Sequence, residues 1–158
     1  MARALVTYFS ATGTTARVAE VVAGELGADL LEIEPAQRYT AADLNWNDKR
    51  SRSTLEMNGE AQLPGLAGAP TNLTGYDAVL VGFPIWWYVA PKAVDAWVTG
   101  NAAKLAGKRV ITFATSGGSG MGRSTAELAK LAPLASWQNG EVVNSERAAR
   151  SWARGLGL

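Results

Sequence analysis

Apolar residues recur along this chain in two alternating rhythms. Short unbroken runs of strand length are separated by longer stretches in which the apolar positions are three or four apart. Leu5 to Phe9 is the first run and Leu30 to Ile33 the second. Residues 78 to 83, Ala-Val-Leu-Val-Gly-Phe, are apolar without alternation, as a strand covered on both faces should be. Arg109 to Ala114 predicts a fourth strand and Ala135 to Gln138 a short fifth. Between the runs, Val18, Val21, Val22 and Leu26 predict a helix over Thr14 to Leu26 that ends at Gly27. Ala90 to Val98 reads as a helix with Pro91 at its start, and Ser124 to Leu131 as one closed by Pro133. A last helix is expected over Ser145 to Leu156, with Ser145 as its N-cap.

Sustained alternation of buried strands and helices predicts an α/β fold, a doubly wound parallel sheet with helices on both faces. Five strands suit the order 2-1-3-4-5, in which ligands bind beyond the carboxyl ends of the strands at the switch point between strands 1 and 3. At 158 residues and 47% apolar composition, one domain over residues 1–158 with a proper core is expected. The irregular part is Pro35 to Thr74, punctuated by Pro35, Pro64 and Pro70; loops of this length are functional or disordered. Its Lys49-Arg50-Ser51-Arg52 cluster reads either as a solvated loop or as a dock for an acidic partner or a nicotinamide dinucleotide phosphate. Asp43-Leu44-Asn45-Trp46 is placed to cover the edge of a site.

Three loops at the strand ends carry the candidate chemistry. The first, Ser10-Ala11-Thr12-Gly13-Thr14-Thr15, runs from a strand into the start of a helix. Backbone N–H groups there favour an anion, and Ser10, Thr12, Thr14 and Thr15 add hydroxyl donors. Without a Gly-Lys-Ser/Thr sequence it is not a nucleoside-triphosphate loop, and it suits one terminal phosphate. The second, Pro84-Ile85-Trp86-Trp87-Tyr88, places three aromatics in a row after strand 3. Adjacent side chains of an extended segment point opposite ways, so Trp86 and Trp87 do not both enter the core from one face. Such an aromatic wall is what a planar heteroaromatic ring stacks on. The third, Thr115-Ser116-Gly117-Gly118-Ser119-Gly120, lets the backbone come close to a flat ligand. Its spacing is not that of the dinucleotide fingerprint.

Composition removes whole classes of function. The chain has no cysteine and no histidine, which excludes disulfides, Ser-His-Asp and Cys-His catalysis, and the usual zinc, copper and haem ligands. Redox or group-transfer chemistry would therefore be carried by an organic cofactor. A net charge of +1 without long runs of one sign predicts neither nucleic-acid nor membrane binding. With no signal-peptide pattern and no apolar run of about 18 residues, a cytoplasmic protein is expected.

The three loops together resemble those of flavodoxin-like flavoproteins, in order along the whole chain. Ser10, Thr12, Gly13 and Thr15 are similar to the family's Ser/Thr-x-Thr-Gly-x-Thr, and Pro84 to Trp87 to a Pro-Ile-Trp-Trp-Gly of a bacterial subgroup. Thr115 to Gly120 is similar to Thr-Ser-Gly-x-Ser-Gly. The resemblance implies a flavodoxin-like fold holding noncovalent FMN. Residues 10 to 15 would take its phosphate, Pro84, Ile85, Trp86, Trp87 and Tyr88 would flank its isoalloxazine, and Thr115, Ser116, Gly117 and Gly118 would approach the ring from the other side. Thr14 stands where many flavodoxins have asparagine, and Tyr88 where the subgroup often has glycine.

Two redox roles follow from the resemblance: an electron-transfer protein serving a partner protein or a small-molecule acceptor, or an FMN-dependent NAD(P)H or quinone oxidoreductase. In the second, Trp46, Trp87 or Tyr88 would shape a substrate slot. Dedicated flavodoxin carriers are strongly acidic, whereas this chain is near neutral, so a less negative hydroquinone potential is expected. A receiver-like binding domain is the third class. It would need carboxylates where this chain has Tyr8-Phe9-Ser10, and a phosphoacceptor Asp where it has Phe83-Pro84-Ile85. Oligomeric state is left open.

Overall fold

The computed structural model describes residues 3–68 and 71–158; Pro70 lies outside them. Its strands are β1 (Ala4–Tyr8), β2 (Asp29–Glu32), β3 (Ala78–Pro84), β4 (Arg109–Thr115) and β5 (Ser136–Gln138). The helices are α1 (Thr14–Leu26), α2 (Arg52–Met57), α3 (Lys92–Leu105), α4 (Ser124–Leu131) and α5 (Glu146–Arg154). All strand pairs are parallel and the order is β2-β1-β3-β4-β5, as the alternation predicted.

Two apolar layers hold the sheet. Because successive strand residues point to opposite faces, Val79, Val81 and Phe83 of β3 enter one layer, with Val94, Trp97, Val98 and Leu128 from α3 and α4. Ala78 and Leu80 enter the other, with Val18 and Val22 of α1 and Ala149 and Ala153 of α5. Burial on both faces accounts for the unbroken apolar run of β3. The edge strand β2 differs: Leu30 and Leu31 are each about 40% exposed. Among the described residues no helix is long and apolar enough to cross a membrane.

Helix α3 runs to Leu105, well past the Val98 expected from sequence, and Pro91 is its N-cap rather than its first helical residue. Thr99-Gly100-Asn101 reads locally as a turn, yet Asn101 is buried and donates its side-chain amide to the Trp97 carbonyl at 2.8 Å. Burial of Val94, Trp97, Val98 and Leu105 outweighs the weak local propensity. Helix α2 is a second departure, lying inside the stretch read as irregular. Ser51 caps it by accepting from Thr54 N. At α5 the expected cap is present, with Ser145 Oγ accepting from Ala148 N at 3.0 Å.

Candidate functional site

The carboxyl ends of β1, β3 and β4 converge on a cleft of about 550 Å³ lined by all three loops. The first loop is organised by its own serine. Ser10 Oγ accepts from the N–H groups of Gly13 and Ala16, each at 3.1 Å, and so closes the turn and caps α1. With both lone pairs engaged, its O–H remains a donor. Gly13, at φ 96°, takes a left-handed conformation that side chains rarely adopt. The N–H groups of Thr12, Thr14 and Thr15 have no partner within the described residues, and the first turn of α1 carries no acidic side chain. Thr12 and Thr14 are exposed at the mouth of the cleft.

Thr15 is buried, and its hydroxyl lies 2.7 Å from that of Thr115 at the end of β4. The four hydroxyls read as equivalent phosphate donors therefore differ. Ser10 shapes the turn, Thr15 ties it to the third loop, and Thr12 and Thr14 face outward.

In the second loop, Ile85 N donates to the Thr115 carbonyl at 2.9 Å, binding the second loop to the third. Trp86 and Val89 exchange both backbone hydrogen bonds, at 3.0 and 3.2 Å, leaving Trp87 and Tyr88 at the corner of a tight turn. Both corner residues have positive φ, 49° and 67°, which is the primed turn geometry that usually selects glycine or asparagine. The turn is held from outside. Tyr88 O accepts from Arg123 N at 2.9 Å, and a side chain at Gly122 would place Cβ 2.3 Å from that same oxygen. The two tryptophans part as expected. Trp86 packs edge-on against Phe9 and Tyr39, at centroid distances of 5.7 and 5.5 Å, while Trp87 is 43% exposed.

In the third loop, Ser116 Oγ accepts from Ser119 N at 2.9 Å and Gly118 N at 3.3 Å. Ser116 N donates to Asn144 Oδ1 at 2.8 Å. Asn144, which sequence reasoning missed, reaches the cleft because residues 141–143 run beside the end of β4, Ala114 N donating to Glu141 O and Val143 N to Ala114 O. Its one sequence signal was its place just before the Ser145 cap. Of the predicted residues, Thr12, Thr14, Thr15, Pro84, Ile85, Trp86, Trp87, Thr115, Ser116 and Gly117 line the main cleft. Tyr88 and Gly118 instead line an adjoining one. Ser10 and Gly13 shape the first loop from behind.

The irregular segment supplies the fourth wall. Leu44 and Trp46 line the cleft, at the edge that the reading of residues 43 to 46 assigned them, and Ser53, which that reading did not include, lines it too. In the same segment the Arg52 guanidinium lies 3.8 Å above the Tyr39 ring, donates to Glu56 at 3.0 Å, reaches the Gln37 carbonyl at 2.8 Å and stands 3.9 Å from the Asp43 carboxylate. The Tyr39 hydroxyl donates to the other Glu56 oxygen. Burial, reinforced by that bond to Glu56, raises the Tyr39 phenol well above the ordinary tyrosine value and keeps it neutral. The basic cluster thus resolves into parts with different duties: Ser51 caps α2, Arg52 is spent inside the molecule, and Lys49 and Arg50 are solvated.

Among solved structures, the chain is similar to a candidate flavoprotein from Bacteroides eggerthii DSM 20697. Identity is 45%, over 100% of this chain and 99% of that one, with a TM-score of 0.90. A candidate flavoprotein from Bacteroides uniformis ATCC 8492 is 41% identical over 97% of this chain and 98% of that one, with a TM-score of 0.87. The flavoprotein from Lactobacillus acidophilus NCFM, solved in complex with FMN, shares the fold at 17% identity, 97% and 99% coverage and a TM-score of 0.73. No curated protein matches the chain. The sequence pattern of the flavodoxin family matches residues 3–154, and the sheet order and the converging loops agree with it: the chain belongs to the flavodoxin family.

Proposed function

We propose that this chain is a single FMN-binding domain over residues 1–158 that works as a redox protein. The observation that carries the reading is the set of N–H groups of Thr12, Thr14 and Thr15 at the head of α1, without partners among the described residues, in a loop that lines the same cleft as Trp86 and Trp87. A dianionic phosphate is the ligand such a helix terminus favours. The donor set fits one phosphate: three backbone N–H groups, the Ser10 hydroxyl and the exposed hydroxyls of Thr12 and Thr14. Trp87 offers an exposed aromatic face to the cleft, and Gly117, where an added Cβ would meet nothing within 4 Å, lines it as well.

When bound, FMN supplies the electron chemistry, accepting and releasing one or two electrons. The chain's own residues bind, orient and screen. Thr15 and Thr115 fix the separation of the first and third loops, Trp86 is immobilised by Phe9 and Tyr39, and Trp46 covers the outer edge. Among the described residues that line the main cleft, none is Asp, Glu, Lys or Arg.

Titration of flavin-stripped protein with FMN, FAD and riboflavin tests the reading. Tight binding of FMN with quenched fluorescence, and much weaker binding of riboflavin, is the expected result; equal affinity for riboflavin would remove the phosphate role of the first loop. A second reading, an FMN-dependent oxidoreductase, is favoured by the exposure of Trp46 and Tyr88, 69% and 64%, beside the cleft. Steady turnover of NAD(P)H with a quinone and no added reductase separates it from a carrier that serves a redox partner.

A further inference from the structure

Asparagine followed by glycine occurs twice, at Asn58-Gly59 and at Asn139-Gly140. Both asparagines are exposed. In such a pair the glycine nitrogen, with no Cβ beside it, can attack the side-chain amide carbon of the asparagine. The two sites differ in how firmly the fold opposes that attack.

At Asn139 the attacking and attacked groups are tied into one ring of hydrogen bonds. Gly140 N donates to Thr112 Oγ1 at 3.2 Å. Thr125 Oγ1 gives its proton to Asn139 Oδ1 at 2.7 Å, so the Thr112 hydroxyl, 2.8 Å from Thr125 Oγ1, donates to it. Thr112 is fully buried, and a Cβ built on Gly140 would run into the Thr112 carbonyl oxygen. Freeing the Gly140 N–H therefore disrupts a hydrogen-bonded hydroxyl in the core, which is a costly opening.

Asn58 is the C-cap of α2, and Gly59 follows it at φ 84°. Gly59 N donates to Glu56 O at 3.3 Å, while Glu60 N and Ala61 N donate to Leu55 O at 3.0 and 3.1 Å, which closes the helix. Residues 58 to 61 are all exposed, and nothing lies within 4 Å of the Cβ position of Gly59. The end of a six-residue helix opens easily, and water takes over the groups it frees. Asn58 Oδ1 also accepts from Glu60 N at 3.0 Å, which polarises the amide carbon under attack.

We propose that Asn58 is a site of spontaneous deamidation and that the fold protects Asn139 from the same reaction. The Gly59 nitrogen bonds to the Asn58 side-chain carbon, the bond from that carbon to Nδ2 breaks, and ammonia leaves with the Gly59 amide proton. Water, the sole co-reactant, then opens the cyclic imide at either of its carbonyl carbons to give aspartate or isoaspartate. Either product puts a negative charge at the C-terminus of α2, where the helix dipole disfavours one. Isoaspartate also lengthens the main chain between Leu55 and the two N–H groups from which its carbonyl accepts, loosening the helix that carries Ser53 into the main cleft.

The test is incubation of the full chain in mildly alkaline buffer made with ¹⁸O water, followed by peptide mass mapping of folded and urea-unfolded samples. In the folded protein the Asn58 peptide is expected to take up label about tenfold faster than the Asn139 peptide. In urea the two should react at similar rates. Thr112→Val, which removes the acceptor of Gly140 N, should raise the Asn139 rate several-fold and leave Asn58 unchanged, and Gly59→Ala should slow Asn58. Hydrogen exchange over residues 53 to 61 should quicken in the aged protein, and unchanged exchange would overturn the effect on α2. An Asn58 peptide that stays unlabelled in the folded protein but reacts in urea, equal rates at the two sites in the folded protein, or faster reaction at Asn139 would each overturn the proposal. Should Thr112→Val fail to fold, the comparison of folded and unfolded parent decides alone.

Discussion

Thr15 and Thr115 stand a hundred positions apart in sequence, and their hydroxyls meet at 2.7 Å in a buried contact between the first and third loops. Removing one partner strands the other without a hydrogen bond, at a cost of about 1–3 kcal/mol. Thr15→Val and Thr115→Val should each lose stability of that order. The double variant should lose less than the sum, because no orphaned hydroxyl remains. Urea unfolding of the three variants checks the cycle, and FMN titration of the same proteins should show weaker binding in each.

Tyr88 is held at φ 67°, a backbone region that favours glycine. A non-glycine residue held in that region costs on the order of 1–3 kcal/mol, set against roughly 0.5–1 kcal/mol of extra chain entropy lost by a glycine. Tyr88→Gly should therefore be neutral to stabilising, by up to about 2 kcal/mol. Gly122→Ala should do the opposite, because its Cβ would sit 2.3 Å from the Tyr88 carbonyl oxygen. Thermal melts of the two variants should move in opposite directions.

Arg52 and Glu56 form a largely buried ion pair, with side chains 21% and 4% exposed. Truncating one member leaves the other charge without its partner, which costs about 3–5 kcal/mol when burial is complete and less here. Arg52→Ala should unfold at clearly lower denaturant than the parent. The freed 43–53 segment should then exchange its amide hydrogens faster, a change read by hydrogen exchange over Leu44 to Ser53.

The Tyr39 phenol has a higher pKa folded than unfolded, because it is buried and donates to Glu56. A raised value means that its stabilising contribution is complete below the ordinary tyrosine pKa of 10.0 and is lost as pH rises through the folded value. Stability should thus fall above about pH 10 with a steeper slope in the parent than in Tyr39→Phe. Tyr39→Phe should already be weaker at neutral pH, since Glu56 loses a donor. Denaturant midpoints across that alkaline range, with phenolate absorbance recorded in parallel, provide the check.

A net charge of +1 surrounds the candidate flavin with almost no acidic field. One unit charge several ångströms away is worth on the order of 2–4 kcal/mol at an effective dielectric near 20, before screening. The hydroquinone potential of the FMN-loaded protein should accordingly lie less negative than that of an acidic flavodoxin. Reductive titration against reference dyes measures it, and a strongly reducing value would refute the expectation.

The sheet order and the three loops were legible because strands buried on both faces leave unbroken apolar runs, and because glycine and hydroxyl residues cluster where strands end. The features that escaped depend on partners far away in sequence. Arg52 looks like any solvated cation until Tyr39 and Glu56 fold around it, and α2 has too few residues to show a period. Asn144 joins the cleft only through the pairing of residues 141–143 with the end of β4. The positive φ of Trp87 and Tyr88 contradicts local preference and is sustained by Arg123 N and by the space left at Gly122.

The two bonds that Ser10 accepts from Gly13 and Ala16 are made entirely within the chain, so the first loop is braced by its own serine. A turn braced from within costs less to hold in its binding shape than one ordered only by its ligand. The N–H groups of Thr12, Thr14 and Thr15 are then a seat for any small oxyanion, and inorganic phosphate or sulfate should compete with the cofactor's phosphate in the FMN titration.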